Sequence, residues 1–218
     1  QSNMEGAGAI ETQDQTVNPR FKLLQSVDCS GLGRVKNSWY TAVPPLCRCN
    51  TGLSPVDYFG RTMVENLPDS ITIGVVHVAI GGCKIELFDK NNYKSYLSTI
   101  TDSWFVDLVN GYGGDPYTYL INLAKTAQKS GVIKGILLHQ GESNNSETDW
   151  PAKVKQVYNN ILSDLGLAVN SVPLLAGEVV NADQGGNCRE MNAIIAKLPE
   201  TLPNSYVISS SKCTDGSD

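Results

Sequence analysis

Gly131-Val132-Ile133-Lys134-Gly135-Ile136-Leu137-Leu138-His139 runs straight into Gln140-Gly141-Glu142-Ser143-Asn144, and this stretch decides the fold. The apolar run from 133 to 139 has the length of a strand and suits one buried on both faces, as in a parallel sheet. A polar loop follows it. Asp149 then opens an amphipathic segment with Val154, Val157, Ile161 and Leu165 on one face and Gly166 as its stop. Strand, polar loop and capped helix in that order make one βα unit.

The pattern recurs along the chain. Residues 71–80, 172–177 and 205–210 are further apolar runs of strand length. Ser54-Pro55 with Asp57 reads as an N-cap, a first-turn proline and an acidic third residue, followed by an apolar face of Val56, Phe59, Met63, Val64 and Leu67. Asp115-Pro116 starts another helix with Leu120, Leu123, Ala124 and Ala127. A fourth runs from about Asn187 to Leu198, stopped by Pro199. The alternation predicts an α/β domain with a mostly parallel central sheet and helices on both faces. Residues 10–53 and 81–114 read as long irregular insertions. The whole chain, 1–218, reads as a single domain.

Composition narrows the function. The chain has 218 residues, 41% hydrophobic and 18% charged, and a net charge of −5 from 17 basic and 22 acidic side chains. That is globular rather than disordered. No basic cluster points to nucleic acid or an anionic membrane surface, and no apolar run approaches the ~18–20 residues of a membrane span. A neutral substrate fits better. The six cysteines form no CxxC pair, and with two histidines there is little to hold a metal. Their even number favours an exported protein with some disulfides.

In open α/β sheets, ligands sit at the carboxyl ends of the strands. Gly81-Gly82-Cys83 follows the 71–80 run, Gln140 to Asn144 follows the 133–139 run, and Thr214 to Asp218 follows the 205–210 run. Gln1-Ser2-Asn3-Met4 has the character of a nucleophile loop. Acyl transfer needs a nucleophile, a base and donors for the oxyanion. Ser2 offers a hydroxyl, the backbone N–H groups of Ser2 and Gly82 offer two donors, and the Asn144 amide a third.

These blocks carry a resemblance. Gln1-Ser2-Asn3-Met4, Gly81-Gly82-Cys83 and Gln140-Gly141-Glu142-Ser143-Asn144 are similar to three blocks of the SGNH hydrolase superfamily, in its sialate O-acetylesterase-like branch. That branch includes the family 6 carbohydrate esterases, the acetyl xylan esterases. The resemblance implies a three-layer α/β/α, flavodoxin-like fold. It implies a secreted serine esterase that removes O-acetyl groups from carbohydrate through an acetyl-enzyme, with no cofactor. Ser2 is then the nucleophile, and Ser2, Gly82 and Asn144 form the oxyanion hole. Gln1, Gln140 and Glu142 shape the site. Asp218 matches the Asp of a terminal Asp-x-x-His block, whose His would lie three positions beyond the last residue of this sequence. The family's first strand, ahead of Ser2, is also missing, so the chain reads as cut at both ends. A sialate O-acetylesterase, a generic small-ester hydrolase and a carbohydrate-binding domain without the base are the alternatives.

Other residues have plainer readings beside their functional ones. His77, inside a strand, reads as a satisfied core histidine; His139 stands at a strand end beside Gln140. Asp215 is the fallback for Asp218, and Glu178 follows the 172–177 run onto the same rim. Cys83 reads as packed or disulfide-bonded. Trp39, Tyr40, Trp104 and Tyr112 are candidate sugar-stacking rings or packing anchors. Asn144-Asn145-Ser146 has the form of a glycosylation sequon, discounted because a pocket residue would be buried.

Overall fold

The computed structural model describes residues 1–211 and 213. The chain divides into two compact units. One comprises Ser2–Gly81 with Asn122–Ile133; the other comprises Gln1, Gly82–Ile121 and Lys134 onward.

The first unit holds α1 (Ser2–Glu5), β1 (Phe21–Leu24), β2 (Trp39–Thr41), α2 (Pro55–Asn66) and β3 (Ile73–Val76). Its sheet has the order β2-β1-β3, with β1 antiparallel to β2 and parallel to β3. Two of these strands lie in the stretch read as irregular insertion. They are only four and three residues long, too short to show a period. α2 begins as its sequence signals require: the Asp57 carboxylate accepts from Ser54 N at 2.9 Å and Ser54 Oγ at 3.0 Å, and Pro55 fills the first turn. Its other end is closed by Arg20, whose guanidinium donates to the carbonyls of Val64, Leu67, Pro68 and Ile71.

α2 packs on β1 and β3. The contact is close because Gly60 faces Phe21: a Cβ at Gly60 would lie 2.1 Å from two Phe21 ring atoms. Cys29 and Cys49 form a disulfide, and Arg34 donates to the carbonyls of Val43 and Pro45 at 2.6 and 2.8 Å. The loop read as irregular is thus pinned covalently and by a buried cation.

The second unit carries α3 (Tyr93–Leu97), α4 (Ser103–Gly111), the start of α5 (Pro116–Ala127), β4 (Ile136–Leu138), α6 (Trp150–Asp164), β5 (Leu174–Gly177), α7 (Glu190–Ile195), α8 (Leu198–Thr201) and β6 (Ser205–Ile208). Its sheet, β4-β5-β6, is parallel throughout. The class is therefore α/β, as the alternation of runs implies. α6 buries Trp150, Val154, Val157, Tyr158, Ile161 and Leu162, and the Tyr158 hydroxyl donates to Val172 O at 2.6 Å.

Three expectations change in detail. The strand cores are shorter than the apolar runs, and β3 and β4 are half-buried rather than buried on both faces. Each is an edge strand of its own sheet, which explains the exposure. Segment 81–114 contains α3 and α4 and is not irregular. Pro199 does not stop a helix; it sits in the first turn of α8, where its missing N–H has no intrahelical partner to lose.

The Gly60 contact gives a test of the packing. Phe21 has no exposed surface and cannot swing away. Gly60→Ala is expected to lower unfolding stability by about 1–3 kcal/mol, measured by urea denaturation. An unchanged midpoint would show that α2 does not rest on β1 as described.

Candidate active site

The nucleophile candidate lies in the first unit, at the start of α1. The turn is closed by Gly6 N donating to Ser2 O at 2.9 Å. Behind it the backbone runs against Gly52 and Leu53: Gly52 N donates to Gly6 O at 2.7 Å, and Gly8 and Leu53 exchange two hydrogen bonds. Gly6 has φ +108°, and a Cβ there would meet Gly52 O at 2.5 Å, so only glycine fits.

Three side chains hold this turn in place. His77 is buried and its Nε2 lies 2.7 Å from Met4 O, which makes Nε2 the protonated nitrogen of a neutral ring. Burial pulls its pKa down to about 4, against the opposing pull of the Met4 carbonyl. His77 is thus a strut, though it stands one residue past the end of β3 and not inside the strand. Glu5 pairs with Arg48, and Arg48 also donates to Ala79 O at 3.1 Å. Gly81 completes the set. A Cβ at Gly81 would lie 2.8 Å from Glu5 Oε2 and 3.6 Å from Ser2 Cβ. The first glycine of Gly81-Gly82 therefore serves Ser2 by leaving room. The Arg48–Glu5 pair and Gly81's clearance were not read from the sequence; Gly81, next to Gly82, is the one a motif flagged.

The remaining blocks lie in the second unit. Gln140 follows β4 and is buried. Its Nε2 donates to Asn144 Oδ1 at 2.6 Å and Cys83 O at 3.3 Å, and its Oε1 accepts from the Trp150 indole at 2.5 Å. Gly141 is required because a Cβ there would meet Met191 Cγ at 2.8 Å. Ser143 Oγ donates to Gly82 O at 2.9 Å. Gly82 itself has φ +72°. The Gln1 amide lies over the same loop: its nitrogen donates to Glu142 at 3.0 Å, and its oxygen accepts from Ser143 N at 3.3 Å. Gln1 N donates to His139 O at 3.1 Å.

Asn144 does not play the part expected of it. It has no exposed surface, and all its hydrogen-bonding capacity is taken. Oδ1 accepts from Ile85 N at 2.9 Å and from Gln140; Nδ2 donates to Glu86 at 3.0 Å and Glu147 at 2.9 Å. An amide with both protons on carboxylates has none for an oxyanion. Asn144 is a buried joint, and the same burial disposes of the sequon.

His139 Nδ1 stands 3.9 Å from Glu142 Oε1, and the ring fills the space over Gly177, where a Cβ would meet His139 Cδ2 at 2.8 Å. Burial lowers the His139 pKa while Glu142 opposes the shift. Glu178 is occupied with the chain leaving β6, accepting from Ser209 Oγ at 2.9 Å and Ser210 N at 3.0 Å. Asp215 and Asp218 lie outside the described residues. Of the aromatic candidates, Tyr112 is buried, Tyr40 accepts from Val35 N, and Trp39 lies over Gly74; Trp104 is 55% exposed, and the position of a Cβ on Gly82 is 3.3 Å from its Cη2.

Asn144 connects the loop to a charged network. Lys153 pairs with Glu86 at 2.8 Å, Glu147 at 2.6 Å and Asp149 at 3.3 Å, and Lys84 pairs with Glu147 at 2.5 Å. Burial pushes the Glu147 pKa up, but hydrogen bonds from Lys153, Lys84 and Asn144 outweigh it and bring the value down to about 2. The stability this carboxylate contributes is complete above its ordinary value of 4.5 and is lost as pH falls from there towards 2. Glu147→Gln is expected to flatten the decline of melting temperature across that window. Parallel profiles for the two proteins would show that Glu147 is not the titrating group.

The chain was compared with models of known families. The model of the carbohydrate esterases described as sialic acid-specific acetylesterases matches residues 1–218. That match covers every block described above, and the chain belongs to this family of carbohydrate O-acetylesterases.

Proposed function

We propose that the protein is a serine esterase that removes O-acetyl groups from acetyl xylan or a similar plant polysaccharide. The observation that carries the reading is the seat built for Ser2: a glycine-cleared turn, buttressed by His77 and by the Glu5–Arg48 pair, inside a chain that belongs to a carbohydrate O-acetylesterase family.

In this reading Ser2 Oγ attacks the acetyl carbonyl carbon, and its proton passes to an imidazole. The backbone N–H groups of Ser2 and Gly82 stabilise the oxyanion. The sugar oxygen leaves with that proton, and water then hydrolyses the acetyl-enzyme by the same path in reverse order. By the resemblance to the family's terminal Asp-x-x-His block, Asp218 is the acid that orients that imidazole. His77 is committed to the Met4 carbonyl and is not that base. Gln1 and Gln140 hold the Glu142–Ser143 loop, and no cofactor takes part. The Cys29–Cys49 disulfide supports an extracellular site of action.

The family description favours a second substrate, O-acetylated sialic acid. Acetate release from acetylated xylan and from O-acetyl sialic acid, assayed side by side with the full-length protein, separates the two. Ser2→Ala is expected to reduce release at least about a thousandfold. Turnover retained by that variant would mean a different nucleophile.

A further inference from the structure

We propose that the groove beside α3 is a subsite for a neutral pyranose unit of the substrate's glycan chain. This rests on the reading of the protein as a carbohydrate O-acetylesterase. The groove encloses about 480 Å³ and lies wholly within the second unit, bordered by residues 84–99 and by α6. That volume falls in the range of small-molecule sites, about 300–1,000 Å³.

Its lining is amphipathic in the manner of a sugar ring. A pyranose presents C–H faces and a rim of hydroxyls. The half-buried ring of Tyr96 is the apolar surface of the groove, with Ile85 and Val157 buried at its base; the polar part includes Asn92, Ser95 and Thr99, all three exposed. The Tyr96 ring can cover C–H groups, while the Ser95 hydroxyl and the Thr99 oxygen, whose own proton goes to Tyr96 O, exchange water for sugar hydroxyls.

The charges select against an anion. Both lysines that border the groove are already held: Lys84 by Glu147, and Lys153 by Glu86, Glu147 and Asp149. Asp89 adds a further carboxylate, held in place by Asn91 N at 3.0 Å and Asn92 Nδ2 at 2.7 Å. A sialate carboxylate would meet acidic groups whose cations are spent, whereas a neutral sugar meets only hydrogen-bonding partners.

Aromatic packing ties the groove to Gly82. Tyr96 packs edge-on to Phe105 at 6.2 Å between centroids, and Phe105 edge-on to Trp104 at 5.7 Å. Trp104 in turn lies against Gly82. The row sets a fixed separation between the groove and the glycine whose N–H faces the acetyl chemistry in the proposed mechanism.

The test is an amide chemical-shift titration of the full-length, isotopically labelled protein with xylotriose and, separately, with N-acetylneuraminic acid. Xylotriose is expected to shift the amides of residues 84–86 and 92–99. Ser95→Trp and Thr99→Trp, which fill the groove from exposed positions, should each weaken that binding at least tenfold, and the same spectra report whether each variant is folded. Absent shifts, shifts that neither folded variant weakens, or tighter binding of N-acetylneuraminic acid at these amides would overturn the proposal. The esterase reading fails separately: a wild-type protein that binds xylotriose here yet releases acetate from no O-acetylated sugar keeps the subsite and loses the reaction.

Discussion

The Asn144 carboxamide makes four hydrogen bonds with no surface exposed, and the loop after β4 takes its form from them. Through Oδ1 it fixes Gln140 and the backbone at Ile85; through Nδ2 it fixes Glu86 and Glu147. Those carboxylates position Lys84 and Lys153. A buried amide satisfied this completely behaves as a joint, because moving any partner strands a polar group away from water, at about 1–3 kcal/mol for each group left unpaired. The position of Gln140 depends on that one side chain, which also adds to the Lys153 and Lys84 bonds that make Glu147 acidic.

The first unit solves a comparable problem with absences. Gly6 and Gly52 let two backbone segments touch, Gly60 admits the Phe21 ring, and Gly81 makes room beside Ser2 and Glu5. His77 supplies the polar counterpart, donating to a carbonyl that the tight turn of α1 leaves without a helical partner.

Local chemistry was the legible part of the sequence. Ser54, Pro55 and Asp57 announce α2 because capping is a contest among neighbours within four residues. β3, β4, β5 and β6 announced themselves as apolar runs, though their ends did not, since pairing stops where the partner strand stops. β1 and β2 escaped notice because Phe-Lys-Leu-Leu and Trp-Tyr-Thr become strands only through partners far along the chain. α4 was hidden by its shortness: it buries only Phe105 and Val109, too few positions to show a helical period. In the candidate site, residue types and loop positions were readable and allegiances were not. Asn144 looked like a donor facing substrate because nothing nearby in sequence shows that Glu86, fifty-eight positions earlier, takes one of its protons. Glu178 and His77 likewise acquired their roles from residues more than thirty positions away.

The sheet of the first unit also bears on how that unit assembles. Lys22 and Thr41, paired across β1 and β2, are 19 positions apart, while Phe21 and Ile73, paired across β1 and β3, are 52 apart. On chain entropy alone, closing the longer loop costs about 0.9 kcal/mol more than closing the shorter one. The antiparallel ribbon is therefore the cheaper first contact, and the Cys29–Cys49 bond falls around its second strand. Oxidation there closes a loop around β2 whose ends are 20 positions apart, which narrows the conformations open to that strand before it pairs with β1.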